Sequence, residues 1–255
     1  MNFYKLQIEY RGTNYHGFQI QNNERTIQGE LNRALKLVAR TDEIKTVGSG
    51  RTDAGVHALA QVVRVEMPLA MPGDKLKYAL NAMLPNDIRV LESEICTSEF
   101  HPIFSAQQKE YRYYFVQSEF ASSHLDGLVT HYDFELDFDV MKKGCELLIG
   151  KHDFINYQCT GTEVETTVRE IFQAELLKVS DVAGLPFRLE SLYCFRVVGD
   201  GFLKQMVRLL MGALWSLGRH KITLQEFEVS LKVARKDRYG VVAPPDGLYL
   251  YRVDY

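Results

Sequence analysis

The chain reads as an α+β protein of two ferredoxin-like halves, each running β-α-β-β-α-β, and three observations lead there. Short stretches of alternating apolar and polar residues are separated by longer stretches with apolar residues at helical spacing. The order of the two kinds of stretch repeats between residues 1–104 and 105–255. The 255 residues, 46% of them hydrophobic and with a net charge of −3, match one large or two small globular domains able to bury a core. Two such halves in tandem are expected in a pseudo-two-fold arrangement, with a joined, mainly antiparallel sheet and a central cleft.

Taken in order, Phe3–Tyr10 alternates as a strand does, and Thr26 can cap a helix whose apolar face is Ile27, Leu31, Ala34, Leu35 and Val38. Ile44–Val47 and Gln61–Met67 read as strands on either side of a glycine-rich loop. Pro72 and Asp74 open a second helix through Leu76, Ala79, Leu80 and Met83, which Pro85 stops before the strand Ile88–Ile95. The second half offers a strand at Ser105–Val116, a helix at Phe138–Ile149, a strand pair at Val168–Val179 and Phe187–Val198, and a helix at Phe202–Leu217. A further helix at Leu224–Ala234 precedes the last strand, Leu248–Val253. Phe100-His101-Pro102-Ile103-Phe104 is too apolar for a flexible linker, so the halves are expected to pack together.

No apolar run approaches the ~20 residues that span a bilayer, and the start of the chain enters a strand pattern rather than a signal peptide, so a cytoplasmic protein without membrane attachment is expected. The four cysteines, Cys96, Cys145, Cys159 and Cys194, lack metal-ligand spacing and read as reduced, buried thiols. A charge near zero does not mark a nucleic-acid binder, so any RNA contact is local. The candidate patches are Arg33, Lys36 and Arg40, then Lys204 with Arg208, then Arg219-His220-Lys221 followed by Lys232, Arg235, Lys236 and Arg238. Each alone also fits an ordinary solvated face.

Chemistry concentrates in three places. In Gly50-Arg51-Thr52-Asp53-Ala54-Gly55-Val56-His57-Ala58 a carboxylate and a guanidinium sit in a loop too rich in glycine to be there for packing. The ordinary role of such an aspartate is a turn or helix cap. In Lys109-Glu110-Tyr111-Arg112-Tyr113, strand alternation places Tyr111, Tyr113 and Lys109 on one face, suited to a base stacked above a phosphate and equally to plain packing. In Gly199–Arg208 a glycine turn opens an apolar helix carrying Arg208 against its buried stripe, for which an acidic loop residue is the natural partner. A Walker loop, a dinucleotide fingerprint, a His-Glu-x-x-His pair and a nucleophile elbow are all missing from the sequence, and its seven histidines do not cluster. His57 reads as structural.

Together these stretches resemble the TruA family of tRNA pseudouridine synthases. The signature is the Gly50–Ala58 loop with Gln61, supported by Tyr10-Arg11-Gly12, Tyr15-His16-Gly17-Phe18-Gln19, Asn81, Leu84–Ile88, Phe100-His101, Phe104-Ser105-Ala106, Lys109 with Tyr111 and Tyr113, His152-Asp153-Phe154, Gly201–Leu203 with Met206–Arg208, and Gly247–Leu250. The resemblance implies isomerisation of uridine to pseudouridine in the tRNA anticodon stem-loop, at tRNA positions 38–40, by a homodimer needing no cofactor and no metal. It makes Asp53 the catalytic carboxylate, attacking ribose C1′ or removing a C2′ proton. Arg208 is then its ionic partner, and Tyr111 the ring stacked on the uracil and a candidate acceptor of the C5 proton. Substrate contacts are implied for Arg51, Thr52, Gln19, Lys109, Tyr113 and Lys204, with the target nucleotide flipped out of its stem.

This chain departs from the family pattern at Ile20 and Ile103, where arginines are usual, at Lys204 and Gln205, where an aromatic and a His or Asn are usual, and at Glu110, a negative charge next to Tyr111. Two missing cations are expected to flatten the salt dependence of RNA binding. A synthase with an altered RNA target, and a catalytically silent RNA-binding or RNA-refolding paralogue, are the alternatives.

Overall fold

The computed structural model describes residues 1–118, 123–159, 161, 164–180, 191–234 and 239–255. The chain divides into two compact units, Met1–Gln107 with Tyr249–Tyr255, and Gln108–Leu248.

The first unit runs β1 (Asn2–Tyr10), α1 (Ile27–Ala39), β2 (Lys45–Gly48), β3 (His57–Met67), α2 (Gly73–Met83) and β4 (Ile88–Ile95), the expected order. β1 pairs antiparallel with both β3 and β4, and β2 lies antiparallel on β3, which gives the ferredoxin-like sequence β4-β1-β3-β2. Alternation decides β1, whose Tyr4, Leu6, Ile8 and Tyr10 all point into the core. α1 starts where the Thr26 hydroxyl accepts from Gly29 N at 3.2 Å, buries Ile27, Leu31, Ala34 and Leu35, and stops at Arg40 in the left-handed region. Each buried large aliphatic there contributes about 1.5–3 kcal/mol. α2 is tied to β4 by the Asn81 side chain, which donates to Val90 O (2.9 Å) and accepts from Val90 N (2.8 Å). β3 begins four residues before the expected Gln61, because His57 and Ala58 pair in parallel with Tyr249 and Leu250 of the C-terminal strand, Leu248–Asp254.

The second unit comprises β5 (Gln108–Gln117), β6 (Thr130–Tyr132), α3 (Phe138–Leu148), β7 (Gly150–Asp153), β8 (Val168–Val179), β9 (Leu192–Gly199), α4 (Met206–Gly218) and α5 (Leu224–Ser230). β5, β9, β8 and β7 follow one another antiparallel, while β6 lies parallel on β5. β6 and β7, of three and four residues, carry too little alternation to be seen in the sequence. The expected strand Phe187–Val198 begins at Leu192 among the described residues; positions 187–190 lie outside them. Both units are therefore α+β with antiparallel strands predominating.

Two helices are shorter than expected. α4 begins at Met206 rather than Phe202, since Gln205 at φ +63° lies in the left-handed region and cannot continue a helix backwards. α5 ends at Ser230 rather than Ala234, where the Asn156 amide donates to the carbonyls of Ser230 (2.7 Å) and Val233 (2.8 Å), the first being the acceptor that the Ala234 N–H of a longer helix would use. α4 packs on β5 through Trp215, whose ring meets Tyr113 and Phe115 edge-on, each at 5.7 Å.

The tyrosine face of β5 is thus turned to the helices, and Glu110 and Arg112 lie on the other face. Glu110, expected as a negative charge beside Tyr111, is instead 4% exposed and held by Arg112 Nε at 2.7 Å and Arg196 Nε at 3.0 Å. Arg196 also reaches Glu175 Oε2 at 3.2 Å and Gln173 Oε1 at 2.6 Å. Burial by itself would raise the Glu110 carboxyl, but the Arg196 and Arg112 guanidinium groups outweigh it and hold it below the usual value. Glu110→Gln is expected to lower the unfolding free energy near neutral pH by about 1–3 kcal/mol, since two guanidinium groups lose their shared anion. A carboxyl lowered in the folded state stabilises above its unfolded value of about 4.3, and that contribution fades as pH falls through the folded value. Urea titrations should therefore show the two proteins converging in acid, and an undiminished gap at about pH 2 would contradict the charge pairing.

Candidate active site

In the first unit the loop between β2 and β3 is seated on the segment that follows β1. Ser49 N donates to Val62 O (2.8 Å) and Ser49 Oγ to Gln61 Oε1 (2.5 Å), while Gln61 Nε2 donates to Gly50 O (2.9 Å), so one buried amide on β3 fastens the start of the loop. The Tyr10 and Thr52 hydroxyls share a bond of 2.8 Å, Phe18 N donates to Thr52 O (3.1 Å), and Gly55 N donates to Tyr15 O (3.2 Å). The Tyr10 phenol is pushed up by burial and stays protonated. His57 is structural, as expected: its Nδ1 accepts from Gly12 N at 3.2 Å and its ring stacks on Tyr249 at 4.5 Å.

Two glycines make this seating possible. Gly17 has φ +92°, and a Cβ there would lie 2.6 Å from Thr52 O; one on Gly12 would lie 2.0 Å from Val56 O. Asp53 is held between these contacts, half-buried, its carbonyl accepting from Val56 N at 3.2 Å. Arg51 is exposed beside it, whereas Thr52 is buried with its hydroxyl turned to Tyr10. Gln19 is exposed, as are Ile20 (49%) and Ile103 (44%), apolar side chains at the surface where the resemblance has cations.

In the second unit Tyr111 is 8% exposed and meets Phe202 edge-on at 5.0 Å. Lys109 is half-buried; burial lowers its ammonium, the charge of Arg169 adds to this, and Asp200 opposes it. Arg208, on the first turn of α4, is half-buried and donates from Nε to Ala243 O at 2.7 Å. Lys204 is exposed, with its carbonyl accepting from Cys159 N at 3.1 Å. Tyr113, for which the resemblance implies a substrate contact, is fully buried here, and its hydroxyl is bonded to Thr130 Oγ1 (2.7 Å) and donates to Pro244 O (2.8 Å). Plain packing, the other reading of strand tyrosines, describes its ring. Thr130, Ala243 and Pro244 were not singled out from the sequence, because two of them act here through carbonyls, which every residue has.

The basic patches are largely occupied. Arg33 binds Glu30 (2.9 Å), Lys36 binds Asp42 (2.8 Å), Lys232 binds Glu228 (2.6 Å) and Arg219 lies over the Phe134 ring at 3.6 Å. Arg235, Lys236 and Arg238 lie outside the described residues. Cys145 and Cys194 are buried and their thiols pushed up to about 12, while Cys96 and Cys159 are half-buried.

A family model for tRNA pseudouridine synthases matches residues 7–105 and 145–255, which includes Asp53 and Arg208 and leaves Lys109, Tyr111 and Tyr113 between the two spans. Over 251 residues the chain is 38% identical to tRNA pseudouridine synthase A of Acetivibrio thermocellus, covering 98% of each chain. It is 40% identical over 257 residues to the protein of that name from an Exiguobacterium species, covering 98% of this chain and 97% of the relative. Against tRNA pseudouridine synthase A of Bacillus subtilis it is 38% identical over 252 residues, with 98% of each covered.

Proposed function

We infer the activity from kinship: the chain belongs to the TruA family of tRNA pseudouridine synthases, and it is an isomerase that converts uridine to pseudouridine in tRNA. By the family resemblance its target is the anticodon stem-loop, at tRNA positions 38–40. In this reaction the C1′–N1 bond of the nucleotide breaks, the uracil turns, a C1′–C5 bond forms, and the C5 proton leaves while N1 gains one. Product and substrate hold the same atoms, so what the protein must supply is a carboxylate, a partner for it, a grip on the loose base and a proton acceptor.

The single observation that carries the residue assignment is the seating of the Asp53 loop. The loop is held on both sides of Asp53 by backbone contacts that only glycine permits, Gly17 against Thr52 and Asp53 and Gly12 against Gly55 and Val56, and this is the pre-organisation a catalytic carboxylate needs. Asp53 acts at C1′ as nucleophile or at C2′ as base. Arg208 is its ionic partner, Tyr111 receives the uracil and is the candidate acceptor of the C5 proton, and the exposed Arg51, Gln19 and Lys204 hold the flipped nucleotide with Lys109. Thr52 serves the site from behind, through its carbonyl and hydroxyl. The reading extends to a homodimer working in the cytoplasm, where tRNA is; the dimer is inferred from the family resemblance.

Tritium release from tRNA labelled at uracil C5 tests the assignment. The wild-type protein is expected to release label from anticodon stem-loop uridines, and Asp53→Asn to do so at least about a thousandfold more slowly with tRNA binding retained. Release at the same rate by both proteins removes Asp53 from the chemistry. Release by neither, with tRNA still bound, is the outcome of a silent RNA-binding paralogue.

A further inference from the structure

Tyr113 is fully buried on β5, yet its hydroxyl ends against the segment that holds Arg208. We propose that Tyr113 is a positioning residue for Arg208, acting through the backbone of residues 243–244; this rests on the reading above that Arg208 partners Asp53.

The geometry forms a continuous chain within the second unit. Residues 208 and 243 are bonded twice in opposite senses, Arg208 Nε donating to Ala243 O at 2.7 Å and Ala243 N donating to Arg208 O at 3.2 Å. One peptide further, Pro244 O accepts from the Tyr113 hydroxyl at 2.8 Å. That hydroxyl has a single proton, so in its 2.7 Å bond with Thr130 the threonine is the donor and Tyr113 the acceptor. Burial leaves Tyr113 protonated and therefore always able to donate.

The same segment is anchored on either side. One helical turn beyond Arg208, Gly212 lets the α4 backbone approach so closely that a Cβ would lie 1.7 Å from Val241 O. At the far end Gly247 O accepts from Tyr114 N at 2.7 Å. A guanidinium is planar and rigid, so fixing Nε against a carbonyl fixes the direction in which the two Nη groups point. The Ala243 carbonyl is therefore the device that aims Arg208, and Tyr113 with Thr130 holds that carbonyl's peptide neighbour in place.

Single-turnover rates and tRNA dissociation constants should be compared for wild type, Tyr113→Phe, Arg208→Lys and the double variant. Tyr113→Phe keeps the ring against Trp215 and is expected to slow turnover about tenfold while changing the tRNA dissociation constant less than about twofold. In the Arg208→Lys background the same substitution is expected to change little, since a lysine has no Nε–H for Ala243 to hold. Thr130→Val, which removes the donor to Tyr113 from the other side, should act in the same direction more weakly, and it carries the same comparison if Tyr113→Phe does not fold. A Tyr113→Phe rate within about twofold of wild type, beside a slow Arg208→Lys, overturns the proposal alone. So does a loss that persists undiminished in the Arg208→Lys background, the mark of a merely structural role. An Arg208→Lys protein at the full wild-type rate would take down both the reading of Arg208 and the proposal.

Discussion

The close backbone contact between the segment after β1 and the loop before β3 is the constraint on which the first unit's candidate chemistry depends. Main-chain atoms approach each other there within distances that a single Cβ would block, at Gly12 against Val56 and at Gly17 against Thr52. Side chains finish the seating: Tyr10 on Thr52, Gln61 across Ser49 and Gly50, and His57 under Gly12. A carboxylate in such a loop cannot wander far, because Thr52 before it and Gly55 two residues after it are bonded to β1 and to the segment beneath. The arrangement also explains why the signature extends beyond the residues that do chemistry. Tyr10, Gly12, Gly17, Phe18 and Gln61 are required by the seating itself.

The second unit solves the same problem with carbonyls. Arg208 donates to Ala243 O, and the strand tyrosine Tyr113 donates to Pro244 O one residue on, the pair of bonds on which the proposed aiming of Arg208 rests. Charge is sorted by strand alternation. β5 turns Tyr111, Tyr113 and Phe115 toward aromatic partners on one side, and on the other it hands Glu110 to two arginines. A carboxylate adjacent in sequence to Tyr111 is thereby kept away from the face on which a uracil would be received.

Much of this was legible in the residues. Alternation in β1 and β8, the Thr26 cap of α1 and the stop at Pro85 follow from local rules, and the Asp53 loop announced itself by its glycines. The departures have physical reasons. A left-handed Gln205 delays α4, because side-chain propensity carries no mark of a backbone angle imposed by the surrounding fold. Asn156 shortens α5 from 74 residues away in the chain, beyond any local pattern. β6 and β7 are edge strands too short to alternate. Tyr113 was placed with Tyr111 on one face, correctly by alternation, but burial distinguishes two tyrosines that the strand pattern treats alike. The sidedness of Glu110 was available from that same alternation.

On the proposed reading the seating of the loop, and not only the presence of Asp53, makes the site. Gly17→Ala tests it most directly, because it removes none of the implicated side chains and introduces one methyl group 2.6 Å from Thr52 O at a φ of +92°, which the loop must move to accommodate. Single-turnover pseudouridine formation and tRNA affinity measured on the folded variant should separate, with the rate falling about tenfold to a hundredfold and the dissociation constant changing only a few-fold. A folded Gly17→Ala protein that converts uridine at the wild-type rate would contradict the claim.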